Sequence, residues 1–266
     1  MEGIADYTFV RALGAGNHGQ FYLARPPSRL PVDAEYVAVK VMDTTTSEAF
    51  RRATRELRAF AAVRSAYLVR LFDAGQQAGT FYYAMEYLPL GSLMTPARPL
   101  SREEKLRAVT QAALAAHDLH EAGMVHRDIK PANVLVTEDG ARLSDLGLAQ
   151  VMAPGQTITG MGAIGSVEFI DPAILRGRRP SRATDVYSLG VTLHHALTGV
   201  GIYGPLPQGD PLLALRRVLA TEPRLDASLS PEEAAIVARC LDPDPDKRPL
   251  TAAEAAADIG RLRTLD

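Results

Sequence analysis

The chain changes character once, and that change constrains its fold more than any other feature. Up to about residue 87 the apolar residues come in short runs, rich in β-branched and aromatic side chains and broken by Gly or Pro: Tyr7 to Leu13, Gln20 to Arg25, Tyr36 to Met42, Leu68 to Ala74 and Phe81 to Tyr87. Such runs read as strands of a small antiparallel sheet. One helix, near Glu48 to Val63, interrupts them. From Ser101 onward the spacing turns helical, with capping-box starts at Ser101 with Glu104, Ser230 with Glu233 behind Pro231, and Thr251 with Glu254. Behind Thr251, the residues Ala252, Ala255, Ile259 and Leu262 recur at spacings of three and four and predict a core-facing stripe. A β-rich front and an α-rich rear joined by Glu86 to Gly91 predict an α+β molecule of two lobes, with a ligand-accepting cleft at the joint.

Composition removes several function classes. The 266 residues are 47% hydrophobic and 23% charged, ordinary for a soluble globular chain, and no apolar run reaches the length needed to cross a bilayer. The first six residues carry neither a basic region nor an apolar core, so a secretory signal is not expected and the cytoplasm is the default compartment. The lone cysteine, Cys240, excludes an internal disulfide and reads as core packing. A net charge of −2 leaves no basic footprint for nucleic acid.

Gly14, Gly16 and Gly19 match G-x-G-x-x-G, a weak signal alone. Here the strand-like run from Gln20 follows, not a helix, so the glycines belong to a hairpin able to lay bare backbone NH groups over phosphates. On the strand that follows, a period of two puts Ala38 and Lys40 on one face, with room for a flat base beside Ala38 and a cation within reach of phosphates. Such a lysine needs an acidic partner, and Glu56 and Glu48 on the intervening helix are the candidates.

The segment His126-Arg-Asp-Ile-Lys-Pro-Ala-Asn133, followed by Ser144-Asp-Leu-Gly147, resembles the protein kinase family, most closely the bacterial serine/threonine kinases of eukaryotic type. The match of Asp128, Lys130, Asn133 and Asp145, with Asp185 to Gly190 opening a large helix, runs over nearly the whole chain. The resemblance implies a single kinase domain over residues 1–266: a small antiparallel β lobe with one main helix (1–86), a hinge (87–91) and a larger, mainly helical lobe (92–266). It implies ATP as cosubstrate and Mg²⁺, with Mn²⁺ as an alternative, held by Asn133 and Asp145. Asp128 would accept or orient the substrate hydroxyl, Lys130 would steady the γ-phosphate and mark the serine/threonine class, and Lys40 with Glu56 would position the other phosphates. Adenine would lie among Phe21, Ala38, Met85, Glu86, Leu88 and Leu135, under a loop carrying Gly14, Gly16 and Gly19. Thr157 and Thr159 are the phosphorylation candidates, with Arg127 as the expected partner of the phosphate. His126 reads as structural, as do His120, His194 and His195. His18 is either a substrate contact or a solvated loop residue.

The chain departs from the family's pattern in three places. Phe21 replaces the usual valine above the base, Leu146 replaces the phenylalanine of D-F-G, and Asp171-Pro-Ala173 replaces A-P-E. The last leaves Arg248 without its usual glutamate, a buried-charge problem unless Asp171, Glu168 or water compensates. Protein substrates carrying Ser or Thr are the expected partners, and a homodimer or a membrane anchor in a longer natural chain is compatible with the resemblance. The rivals are a nucleotide-binding pseudokinase, against which the complete charged set argues, and a small-molecule kinase, which would lack the long segment from Asp145 to Ala173.

Overall fold

The computed structural model describes residues 3–16, 19–42, 47–145, 164–207 and 210–264. They divide into two compact units, the first made of the described parts of Met1–Ala62 with Val69–Tyr87. The second comprises Val63–Leu68 and the described parts of Leu88–Leu146 and Ile164–Asp266.

The first unit is a six-stranded antiparallel sheet in the order β1-β2-β3-β4-β6-β5. Its strands are β1 (Gly3–Ile4), β2 (Tyr7–Gly16), β3 (Gly19–Arg25), β4 (Val37–Met42), β5 (Leu71–Gln77) and β6 (Thr80–Glu86). Alternation gives it two faces of different purpose. Tyr7, Ala24, Val37, Val39, Tyr82 and Ala84 turn one way and bury against Ile4, closing a small apolar core. The opposite face receives α1 (Ser47–Ala62), whose Ala49, Ala53, Leu57 and Phe60 are buried at helical spacing. Phe50 of α1 meets Phe81 of β6 edge-on, with ring centroids 5.5 Å apart.

The strand expected at Leu68 to Ala74 is shifted to Leu71–Gln77. Leu68 and Val69 are buried, which is what made the run look like a strand start, but Leu68 is spent elsewhere: it bridges Leu143 in the second unit, and the Leu143 amide donates to Tyr67 O at 2.8 Å.

The second unit is mainly helical: α2 (Arg102–Glu121), α3 (Pro172–Leu175), α4 (Arg182–Thr198), α5 (Pro211–Ala220), α6 (Pro231–Cys240) and α7 (Ala252–Arg261), with a hairpin of β7 (Val134–Thr137) and β8 (Gly140–Leu143). From Thr184 to Leu197 every α4 residue except His195 is buried, as befits a helix enclosed on all sides. The capping boxes at Ser101 and Ser230 are complete. Glu233 does double duty, since its carboxylate also accepts from Arg102 at the start of α2. At Thr251 only half the box forms: Thr251 Oγ1 accepts from the Glu254 amide, while Glu254 turns outward to Leu250 N and Arg239. The stripe of Ala252, Ala255, Ile259 and Leu262 is buried as read. Cys240 is buried too, and burial pushes its thiol up to about 12, an inert packing residue.

Candidate active site

In the first unit the strand register assembles the residues expected around a nucleotide. Phe21 pairs with Lys40 and Lys40 with Tyr83; one step along, Leu23 pairs with Ala38 and Ala38 with Met85. Directly opposed residues share a face, so Phe21, Ala38, Lys40 and Met85 all lie on the α1 side of the sheet. Lys40 is 7% exposed, and its Nζ sits 4.7 Å from the centroid of the Phe21 ring and 5.9 Å from that of Tyr83. Glu56 is half-buried on α1, between buried Ala53 and Leu57, and enters no ion pair among the described residues. Glu48 pairs with Arg52 at 3.2 Å across one helical turn. At the end of β6 the Glu86 amide donates to Arg70 O at 3.0 Å, and its carboxylate accepts from the Arg70 amide at 2.7 Å.

The three glycines of the hairpin serve different needs. Gly14 has φ +144°, a conformation side-chain-bearing residues rarely adopt. Gly19 is needed for closeness: a Cβ there would lie 2.2 Å from Val41 O on the neighbouring strand. Gly16 ends β2, and His18 lies outside the described residues.

In the second unit the segment Asp128 to Asn133 folds back on itself. The Asp128 carboxylate accepts from Lys130 Nζ at 2.9 and 2.8 Å, and from Asn133 Nδ2 at 3.0 Å. The same amide nitrogen donates to Asp128 O at 2.7 Å. Two acceptors facing one side of the Asn133 amide fix its orientation and turn Oδ1 away from them. Asp145, with φ +59°, lies two residues past the end of β8. Asn133 and Asp145 are thus hard oxygen donors of the kind magnesium takes. Among the described residues no group of three or more His, Cys, Asp or Glu is arranged to hold a metal by itself. Leu135 lies half-buried on β7 and itself bridges Ser92. Leu88 belongs to the second unit and is half-buried.

What holds this loop is a residue whose role the sequence did not disclose. Asp185, in the first turn of α4, is 1% exposed and accepts from the backbone amides of His126 (2.8 Å) and Arg127 (2.9 Å). His120 Nε2 lies 2.8 Å from the same carboxylate. Arg127 has φ +73°, a conformation costing on the order of 1–3 kcal/mol, and the charge-assisted bonds from Asp185 hold it there. An acid near a helix start reads locally as a dipole match, and only the fold reveals the 59-residue reach to His126. His126 is fully buried and structural. Its Nδ1 accepts from the Asp128 amide and its Nε2 donates to Ser144 O, so the neutral ring satisfies both contacts, and desolvation keeps its pKa below the ordinary value.

The charge on Arg248 is answered by Asp171. Arg248 Nη1 lies 2.6 Å from Asp171 Oδ2, both side chains at most 2% exposed. The guanidinium also donates to Ala183 O and Asp242 O, each at 2.8 Å, and lies over the Tyr187 ring. Asp171 additionally caps α3 through the Ala173 amide, at 2.8 Å. A carboxylate two residues before Ala173 therefore replaces the missing glutamate. Glu168, the other candidate, lies against Gly201, and burial pushes its pKa up to about 7.

That shift has a definite sign. A carboxyl raised from 4.5 to about 7 makes the folded state bind more protons than the unfolded one between those values, so its contribution to stability is full below pH 4.5 and is lost as pH rises toward 7. Glu168→Gln is expected to raise stability at pH 8 by about 1–3 kcal/mol and to change it little at pH 4.5, by urea denaturation. An equal effect at both pH values would remove the buried acid as the cause.

Thr157, Thr159, Leu146 and Gly147 lie outside the described residues.

A family profile described as "Protein kinase domain" matches residues 7–258. The serine/threonine-protein kinase PknB of Mycolicibacterium smegmatis is 32% identical over 270 residues, covering 96% of this chain and 43% of that protein. The serine/threonine-protein kinase PknK of Mycobacterium tuberculosis is 34% identical over 265 residues, covering 96% and 23%. The chain thus spans less than half the length of these curated relatives. Among solved structures, a variant of the PknI kinase domain of Mycobacterium tuberculosis superposes with a TM-score of 0.70 at 25% identity, covering 98% of each chain. With the profile spanning almost all of the sequence and the fold matching end to end, the chain belongs to the protein kinase domain family.

Proposed function

We propose that this chain transfers the γ-phosphate of ATP to serine or threonine hydroxyls of proteins. The observation that carries the reading is the Asp128 carboxylate, held by Lys130 at 2.8 Å and Asn133 at 3.0 Å on a loop anchored by buried Asp185. In this reading Asp128 orients the hydroxyl and takes its proton as the oxygen bonds to the γ-phosphorus and the bond to the bridging oxygen of ADP breaks. Lys130, beside that carboxylate, meets the charge spread over the transferring oxygens. Asn133 Oδ1 and Asp145 would hold Mg²⁺, or Mn²⁺ in its place, and the ion would neutralise phosphate charge. Lys40 would bind the remaining phosphates, helped by Glu56 once nucleotide is present. Ala38, Met85, Phe21, Glu86, Leu88 and Leu135 would enclose adenine. Serine/threonine selectivity is supported by Lys130 and by the names of the relatives. Thr157 and Thr159 are proposed as sites of self-phosphorylation, their phosphates answered by Arg127.

Incubation with ATP and Mg²⁺ followed by mass spectrometry is expected to find phosphate on serine or threonine, of the chain itself or of a generic basic protein, and none after chelation with EDTA. Lys40→Met is expected to lower transfer about a hundredfold while leaving the thermal midpoint nearly unchanged, because positioned charge is lost and packing is kept. Wild-type protein without transfer under these conditions would leave a nucleotide-binding scaffold as the better description. Full activity in the Lys40 variant would remove that residue from the phosphate site.

A further inference from the structure

Lys40 lies against two aromatic rings, and the nearer belongs to a residue whose bulk looked like an obstacle to ATP. Phe21, Lys40 and Tyr83 stand in register on β3, β4 and β6, so all three project from one face of the sheet. The ammonium lies 4.7 Å from the Phe21 centroid and 5.9 Å from the Tyr83 centroid, both within the roughly 6 Å at which a ring face attracts a cation. Tyr83 is 2% exposed and Lys40 7%, which screens the charge little and strengthens the attraction.

We propose that Phe21 is a positioning residue for Lys40: its ring holds the ammonium in place for the phosphates of the nucleotide, a role separate from covering the base. This rests on the nucleotide-binding reading above. A lysine stem carries rotamer freedom that binding must otherwise freeze. A cation already resting on a ring loses less of that freedom when phosphate arrives. An aliphatic residue at position 21 could cover adenine equally well but offers no negative ring face. Phe21 thus serves the phosphate end of the ligand through Lys40, and that separates it from a mere ceiling.

The test compares two ligands on three proteins: MgATP and adenosine, titrated by calorimetry against wild type, Phe21→Leu and Phe21→Tyr. Adenosine has the base and no phosphates, so it does not report on Lys40. Phe21→Leu is expected to weaken MgATP binding about 3- to 30-fold and to leave adenosine binding within twofold, while Phe21→Tyr keeps both near wild type. The three proteins should share one thermal midpoint within a few degrees, since Phe21 is only half-buried.

Equal weakening of ATP and adenosine in Phe21→Leu would reduce Phe21 to a lid on the base and overturn the proposal. Unchanged or tighter ATP binding in that variant would overturn it as well, as would a tyrosine variant as weak as leucine. Wild-type protein that binds neither ligand would instead sink the nucleotide-binding reading, and this proposal with it, a result distinct from the other three. If Phe21→Leu fails to fold, Phe21→Met carries the same comparison with the same expected split.

Discussion

Asp128→Asn is expected to lower phosphotransfer by about two to four orders of magnitude with little change in KM for ATP. The substitution keeps the shape of the side chain and its tie to Asn133, but an amide cannot take the proton of an attacking hydroxyl. It also places NH₂ hydrogens beside the Lys130 ammonium, which now donates to both Asp128 oxygens at 2.9 and 2.8 Å. Lys130 should therefore swing away, and the two losses fall on one step. Because Asp128 lies on the transfer side of the reaction, ATP affinity should be spared, in contrast to Lys40→Met. The fold should be spared too: the Asp128 side chain is 27% exposed, and the loop is anchored by Asp185. Steady-state kinetics with varied ATP, and a thermal midpoint for each protein, check this. A variant retaining a tenth of wild-type activity would show that Asp128 does not handle the proton.

The second large effect is on stability. Asp171→Ala is expected to cost about 3–5 kcal/mol, because it strands Arg248 in a site where both partners are at most 2% exposed. For a chain of this size that corresponds to a fall of roughly 6–20 °C in thermal midpoint. Part of the loss is the α3 cap, which Asp171→Asn retains through the Ala173 amide, so the asparagine variant should fall less and isolate the charge. Adding Ala173→Glu to Asp171→Ala should recover part of the midpoint, since that is where the family ordinarily carries the carboxylate. An alanine variant as stable as wild type would mean that the Ala183 and Asp242 carbonyls and the Tyr187 ring satisfy Arg248 unaided.

The local elements were largely legible in the sequence. Short β-branched and aromatic runs located β2, β3, β4 and β6, the spacing of Ala252, Ala255, Ile259 and Leu262 located α7, and the boxes at Ser101 and Ser230 fixed two helix starts to the residue. These signals are short-range, written within a turn or a strand. The catalytic-loop candidates Asp128, Lys130 and Asn133 were legible through the resemblance to the protein kinase family, and in the structure they contact one another directly. What escaped was long-range. Leu68 looked like strand because it is buried, but its partner is Leu143, 75 positions on by numbering. Asp185 reads only as the opening of a large helix until the fold carries it to the amides of His126 and Arg127. The choice between Asp171 and Glu168 turned on which carboxylate faces Arg248, and the contact of Phe21 with Lys40 required the register of two strands. In each case the residue type was visible and its destination was not.

The glycine hairpin bears on how related chains that have lost activity should be recognised. Gly14 answers to backbone conformation and Gly19 to the carbonyl of Val41, demands that persist whether or not a nucleotide ever arrives. A descendant that abandoned chemistry would keep these two residues as long as it kept its sheet, whereas nothing in the sheet protects Asp128. In a decaying lineage the glycines would be fossils of architecture, and the carboxylate the first casualty of disuse.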